Sequence, residues 1–147
     1  HRIFEERVTQ YLISKFSQPF EKRKIPLKGG KLHEFDCVSS DEKIIAECKS
    51  YNWTVSGNYP SAKVATLMET IGYLQEVPAE KKLLIMHHRE FPGREQLIDV
   101  FYRRSGTNLG TVELWDFILD KEPSHDRVRI MTSKGKSSVN LQNIVEI

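Results

Sequence analysis

The sequence predicts an α/β fold, helices packed on a mixed β-sheet, and two observations carry that expectation. Helical and strand periodicities alternate along the chain in the order helix, strands, helix, strand, helix, strands. The run Lys82-Leu83-Leu84-Ile85-Met86-His87 sits between two helical segments and is too apolar for a strand with a wet face, so it reads as a central strand covered on both sides and paired in parallel. No internal repeat or low-complexity tract interrupts the pattern.

Each element has its own local reason. Phe4, Val8, Leu12 and Phe16 recur every four residues, with Tyr11 broadening the stripe, which predicts an amphipathic helix over 3–16. Pro19 and Pro26 break that pattern. A short strand is expected over 24–28, then a turn at Gly29-Gly30, where glycine reaches positive φ without steric cost, then a strand over 31–38. Ser39-Ser40-Asp41-Glu42 supplies turn residues and 43–49 forms the returning strand. The segment 51–60 is a loop rich in aromatics, and Ser61 is placed to cap a helix over 62–75 that buries Val64, Leu67, Met68, Ile71 and Leu74. After the central strand, Pro92-Gly93 precedes a helix over 94–104 with Leu97, Ile98, Val100 and Phe101 inward, and Gly106 ends it. A strand over 111–119 follows, then a terminal hairpin with strands over 128–131 and 138–141.

A chain of 147 residues fits one domain, spanning 1–147, with a core over about 3–88 and additions over about 93–147. Hydrophobic residues make up 39% and charged residues 29%, no apolar run approaches the ~18 residues of a membrane helix, and there is no signal-peptide pattern. The expectation is a soluble cytoplasmic protein with no membrane partner. Cys37 and Cys48 are too few for a disulfide scaffold and lack zinc-type spacing, so they are expected as core residues. The formal charge of +2 neither demands nor excludes a polyanion, but Lys22-Arg23-Lys24, Arg103-Arg104 and Lys134 with Lys136 are local basic groups of the kind that bind phosphates. The chain opens on His1 rather than Met, which leaves room for further domains or partner subunits.

The stretch HEFDCVSSDEKIIAECKSY, from His33 to Tyr51, carries the chemistry. A turn at Asp41-Glu42 sets Asp36 opposite Glu47 and Glu34 opposite Lys49, all on one face, with Phe35, Cys37, Ala46 and Cys48 on the other. Like charges directly opposed across a hairpin repel, so two carboxylates there need a cation. Mg²⁺, which takes oxygen ligands from one or two carboxylates plus waters and phosphate, satisfies that need. The Lys49 ammonium is suited to stabilising an oxyanion or orienting a nucleophilic water. The same geometry also fits a hairpin with one wet face, in which Glu34 pairs with Lys49 while Asp36 and Glu47 are solvated.

Asp36, then ten residues, then Glu47-Cys48-Lys49 resembles the motif of the PD-(D/E)XK nuclease superfamily, with Phe35 in place of the proline that names it. Phe4-Glu5-Glu6-Arg7-Val8 resembles the F-E-x-x-V pattern of its resolvase-like and Mrr-like branches, in which the glutamate approaches the metal site. The resemblance implies the restriction-endonuclease-like fold: a three-layer sandwich whose core of helix, three-stranded meander, helix and strand covers about 3–87, with extra C-terminal strands. It implies an endo- or exodeoxyribonuclease that hydrolyses DNA phosphodiesters with Mg²⁺, or Mn²⁺ as substitute. In that reading Asp36, Glu47 and the Cys48 carbonyl hold the metal, Lys49 positions water and stabilises the transition state, and Glu5 joins the catalytic set. Lys31, Trp53 and Lys63 are further candidates for nucleic-acid contact, Trp53 because its loop emerges from the Lys49 strand and Lys63 because its helix flanks the site. RNA as substrate, a homodimer, a nuclease-like binding module without catalysis, and a structural domain of a larger assembly stay open. His87-His88 is expected to be structural, because adjacent strand residues point to opposite faces.

Overall fold

The fourfold apolar spacing from Phe4 to Phe16 winds into helix α1 (Arg2–Phe16), which buries Phe4, Val8, Tyr11 and Leu12 against one face of a β-sheet. The computed structural model describes residues 1–140, and in it the sheet has seven strands in sequence order: β1 (Phe20–Pro26), β2 (Leu32–Ser39), β3 (Ile44–Lys49), β4 (Lys81–His87), β5 (Val112–Ile118), β6 (Arg127–Thr132) and β7 (Gly135–Asn140). Tight connections make β1–β2–β3 and β5–β6–β7 antiparallel. Parallel neighbours need a crossover, and helices α2 (Ser61–Gln75) and α3 (Leu97–Ser105) supply it between β3 and β4 and between β4 and β5. The protein is therefore α/β with a mixed sheet.

Two cores lie on opposite sides of that sheet. On the α1 side, Tyr11 meets Phe117 edge to face at 5.3 Å and Trp115 at 6.1 Å, with Cys37, Ala46, Cys48 and Ile85 filling in. On the other, Leu67, Ile71 and Leu74 of α2 and Ile98 and Phe101 of α3 cover Ile45, Leu84 and Leu114. Leu83, Leu84 and Ile85 of β4 are fully buried, as the run from Lys82 to His87 predicts. Burying each such aliphatic side chain contributes about 1.5–3 kcal/mol. Both cysteines are free and buried. Among the described residues no helix is long and apolar enough to cross a membrane.

Several local expectations are corrected. The first strand begins at Phe20, four residues before the expected start, because Phe20 pairs with Ser39 and buries its ring. Ser61 is the first residue of α2 rather than its cap, and Pro60 precedes it without a side-chain cap. Helix α3 starts at Leu97, not 94: Gln96 is extended, and the Glu95 carbonyl accepts the Trp53 indole N–H at 2.9 Å. Gly106 stays right-handed and continues into a 3-10 turn, Gly106–Leu109, and the positive φ of 58° falls at Gly110. The hairpin β6–β7 forms, although Leu141 at the end of the expected second strand lies outside the described residues.

Candidate active site

The site grows from a short ladder. Strands β2 and β3 pair only as Cys37 with Ala46 and Val38 with Ile45, in the register that puts Asp36 and Glu47 next in line. They do not continue as a ladder pair. The Glu47 carboxylate instead accepts the Asp36 backbone N–H at 2.8 Å, and the Asp36 carboxylate accepts the Cys48 backbone N–H at 2.8 Å. Glu34, expected opposite Lys49, pairs with Lys24 on β1.

A β-bulge accounts for the break. β1 pairs Glu21 with Val38 and Arg23 with Phe35, so Lys22 alone opposes Asp36 and Cys37. The extra residue reverses the alternation of β2. Phe35 therefore enters the α2-side core and Cys37 the α1-side core, correcting the expectation that they share a face. The common face expected for Asp36 and Glu47 is corrected for the same reason. Asp36 lines a hollow on the α1 side with Arg2, Glu5, Thr9 and Lys22, whereas Glu47 reaches toward His33 on the α2 side, its Oε2 lying 3.7 Å from His33 Nε2. The two carboxylates meet in the gap between the diverging strands.

Electrostatics follow from this crowding. Glu47 is only 5% exposed; burial first, and then the Asp36 charge, push its carboxyl up to about 8, partly opposed by the Asp36 N–H and by Lys49. Glu5 lies beside Asp36 and is also raised, by burial and then by Asp36. Lys49 is half-buried, forms no ion pair among the described residues, and sits close enough to lower both the Glu47 carboxyl and the His33 imidazole. The structure thus brings Glu5, Asp36, Glu47, Cys48 and Lys49 together. It adds Lys22, read from the sequence only as part of a basic group, and His33, which was not singled out; His33 shares a face with Glu47 only because of the bulge.

The donors present fit a hard cation. Glu47 Oε2 and Asp36 Oδ1 are the carboxylate oxygens without a backbone donor. A strand residue projects its N–H and C=O to the same edge, so the Cys48 carbonyl faces the same gap as the N–H that meets Asp36. These are oxygen ligands, as Mg²⁺ requires. Among the described residues no three His, Cys, Asp or Glu side chains form a ready metal-holding group, so a cation here would draw on two carboxylates, backbone and solvent or phosphate.

The outlying candidates occupy a neighbouring surface. Lys63 Nζ lies 5.2 Å above the Tyr51 ring, Arg94 5.0 Å above Trp53 and Arg104 4.3 Å above Tyr59, so the loop aromatics carry cations on their faces. With Arg94 above it and its indole N–H bound, Trp53 has a face in use already. Lys31 is exposed and leans on Tyr73 at 6.0 Å. His87 and His88 do point apart: His87 stacks on Phe4 at 4.7 Å, while His88 Nδ1 faces both oxygens of buried Asp116 at 3.0 Å.

Comparison of the chain with family models, with curated proteins and with solved structures returned no match.

Proposed function

We propose that this protein is a divalent-cation-dependent nuclease of the PD-(D/E)XK kind, with a restriction-endonuclease-like core, that hydrolyses DNA phosphodiesters. The observation that carries the reading is the interlock of Asp36 and Glu47 at the open end of β2 and β3, with Lys49 one residue beyond Cys48. The order α1, β1–β2–β3, α2, β4 supports it, because the resemblance implies that order of elements.

Asp36, Glu47 and the Cys48 carbonyl would hold Mg²⁺, or Mn²⁺ in its place. Such a cation supplies Lewis-acid polarisation of a phosphoryl oxygen. The chain's own groups do the rest. The Lys49 ammonium stands near Glu47, where its charge offsets that developing on the scissile phosphate and its N–H groups orient the attacking water. Glu5 flanks Asp36 and helps fix the acidic end of the site. Lys63, Arg94 and Arg104 hold exposed cations on the adjoining loop and helices, suited to phosphate contact. No covalent intermediate is needed.

The test is incubation with linear, circular and branched DNA, and with RNA, in Mg²⁺, Mn²⁺ or chelator, beside Asp36→Ala, Glu47→Ala and Lys49→Ala. Metal-dependent cleavage by the wild type alone supports the reading. Cleavage that survives in all three variants removes the site assignment, and DNA binding without cleavage favours a binding module.

A further inference from the structure

His33 is wedged between two aromatic rings, edge to face with Phe35 at 4.6 Å and tilted against Tyr73 at 4.5 Å. That packing aims its Nε2 at Glu47. The atom is buried and has no hydrogen-bond partner among the described residues, and its nearest carboxylate oxygen is Glu47 Oε2 at 3.7 Å, too long for a hydrogen bond. Buried polar atoms are nearly always satisfied, so an orphan nitrogen facing an otherwise free carboxylate oxygen calls for an explanation.

Glu47 already has one oxygen fixed, since Oε1 accepts the Asp36 N–H. We propose that His33 is a positioning residue whose Nε2–H closes onto Glu47 Oε2, so that the carboxylate is gripped at both oxygens. A shift of under about 1 Å brings the pair to hydrogen-bond distance. Each carboxylate oxygen keeps a second lone pair for a cation. Partners that orient a metal-holding carboxylate in this way are worth about 10- to 100-fold in metal affinity. The aromatic pair supplies rigidity: Phe35 precedes Asp36 directly, so the bulge that aims Asp36 also seats the His33 ring. The inference rests on the proposed role of Glu47 in holding a cation.

The experiment is Mn²⁺ binding by the intact chain without DNA, followed by electron paramagnetic resonance, for wild type, His33→Phe, His33→Leu and His33→Gln. Phenylalanine and leucine keep apolar packing and lack a donor; glutamine puts an amide N–H near the Nε2 position. The expected result is Mn²⁺ affinity lowered about 10- to 100-fold in His33→Phe and His33→Leu and largely restored in His33→Gln. A purely structural role gives the opposite order, with phenylalanine tolerated and glutamine harmful, and that order overturns the inference. Wild-type affinity in His33→Phe overturns it too, while leaving the proposed function standing. Failure of the wild type to bind Mn²⁺ overturns both.

Discussion

The Glu47 carboxylate takes the place of a backbone carbonyl, accepting the Asp36 N–H at 2.8 Å just where the β2–β3 ladder ends. Asp36 returns the favour through the Cys48 N–H at 2.8 Å. Two acidic side chains thus stitch the strand ends while crowding each other, an arrangement that costs stability and that a bound cation would relieve.

A divalent cation should therefore stabilise the fold. At Mg²⁺ or Mn²⁺ a hundredfold above its dissociation constant, mass action adds about 2.7 kcal/mol to the free energy of unfolding. Thermal melts of the wild type should rise with cation concentration, and those of Asp36→Asn and Glu47→Gln should stay flat. Equal rises in all three proteins would place the cation elsewhere.

Cation–π contacts hold Lys63, Arg94 and Arg104 on one loop and its neighbours. Each one that meets a phosphate contributes about 0.9 to the slope of log affinity against log salt on duplex DNA. Replacing all three by glutamine should flatten that slope and weaken binding at low salt, measured by fluorescence anisotropy in chelator. An unchanged slope would move the nucleic-acid path away from this loop.

Much of this architecture could be read from residue patterns, and the misreadings have local physical causes. Helix α1 announced itself because its apolar residues recur at one spacing, and strand β4 because its apolar run is unbroken. The register of β2 against β3 was legible from the turn residues alone, yet the faces were not, since a bulge opposite Lys22 has no glycine or proline to mark it. That one extra residue reversed Phe35 relative to Cys37 and hid the meeting of His33 with Glu47. The start of α3 was misread because Arg94, Glu95 and Gln96 are all good helix formers; the bond from the Trp53 indole to the Glu95 carbonyl and the turn closed by the Arg94 N–H on the Phe91 carbonyl keep that segment out of the helix.

Helix α1 is moored by Arg7, whose guanidinium grips the carboxylate of Asp126, the residue before β6, at 2.8 and 2.6 Å. Asp126 is nearly fully buried and also accepts the Asp120 N–H at 2.7 Å. Asp126→Ala leaves a mostly buried guanidinium with the Asp120 carbonyl but without its carboxylate partner and should cost about 3–5 kcal/mol, read from urea denaturation midpoints. Because the same helix carries Glu5 beside Asp36, the variant should also weaken Mn²⁺ binding. A loss below about 1 kcal/mol, the range of an exposed pair, would contradict this role.

His88 gives the stability a pH dependence of known sign. Its hydrogen bond with Asp116 is the main cause that raises its imidazole above the ordinary 6.5, with Glu90 assisting and burial opposing. A raised folded value means the contribution is fully present below 6.5 and is lost as pH rises through the folded value. His88→Gln should thus destabilise most near pH 6, with the gap to wild type narrowing by pH 9, as urea titrations at each pH would measure. A gap independent of pH would show that the His88–Asp116 contact acts through packing alone.

The most direct measurement of the central claim is the single-turnover rate of strand cleavage on supercoiled circular DNA in saturating Mg²⁺. Wild type, Glu47→Gln and Lys49→Met should be compared at matched DNA occupancy. The account predicts wild-type cleavage that stops when the cation is chelated, with rates at least about 10²-fold lower in Lys49→Met and lower still in Glu47→Gln. Wild-type rates in both variants, or cleavage indifferent to chelation, would contradict it.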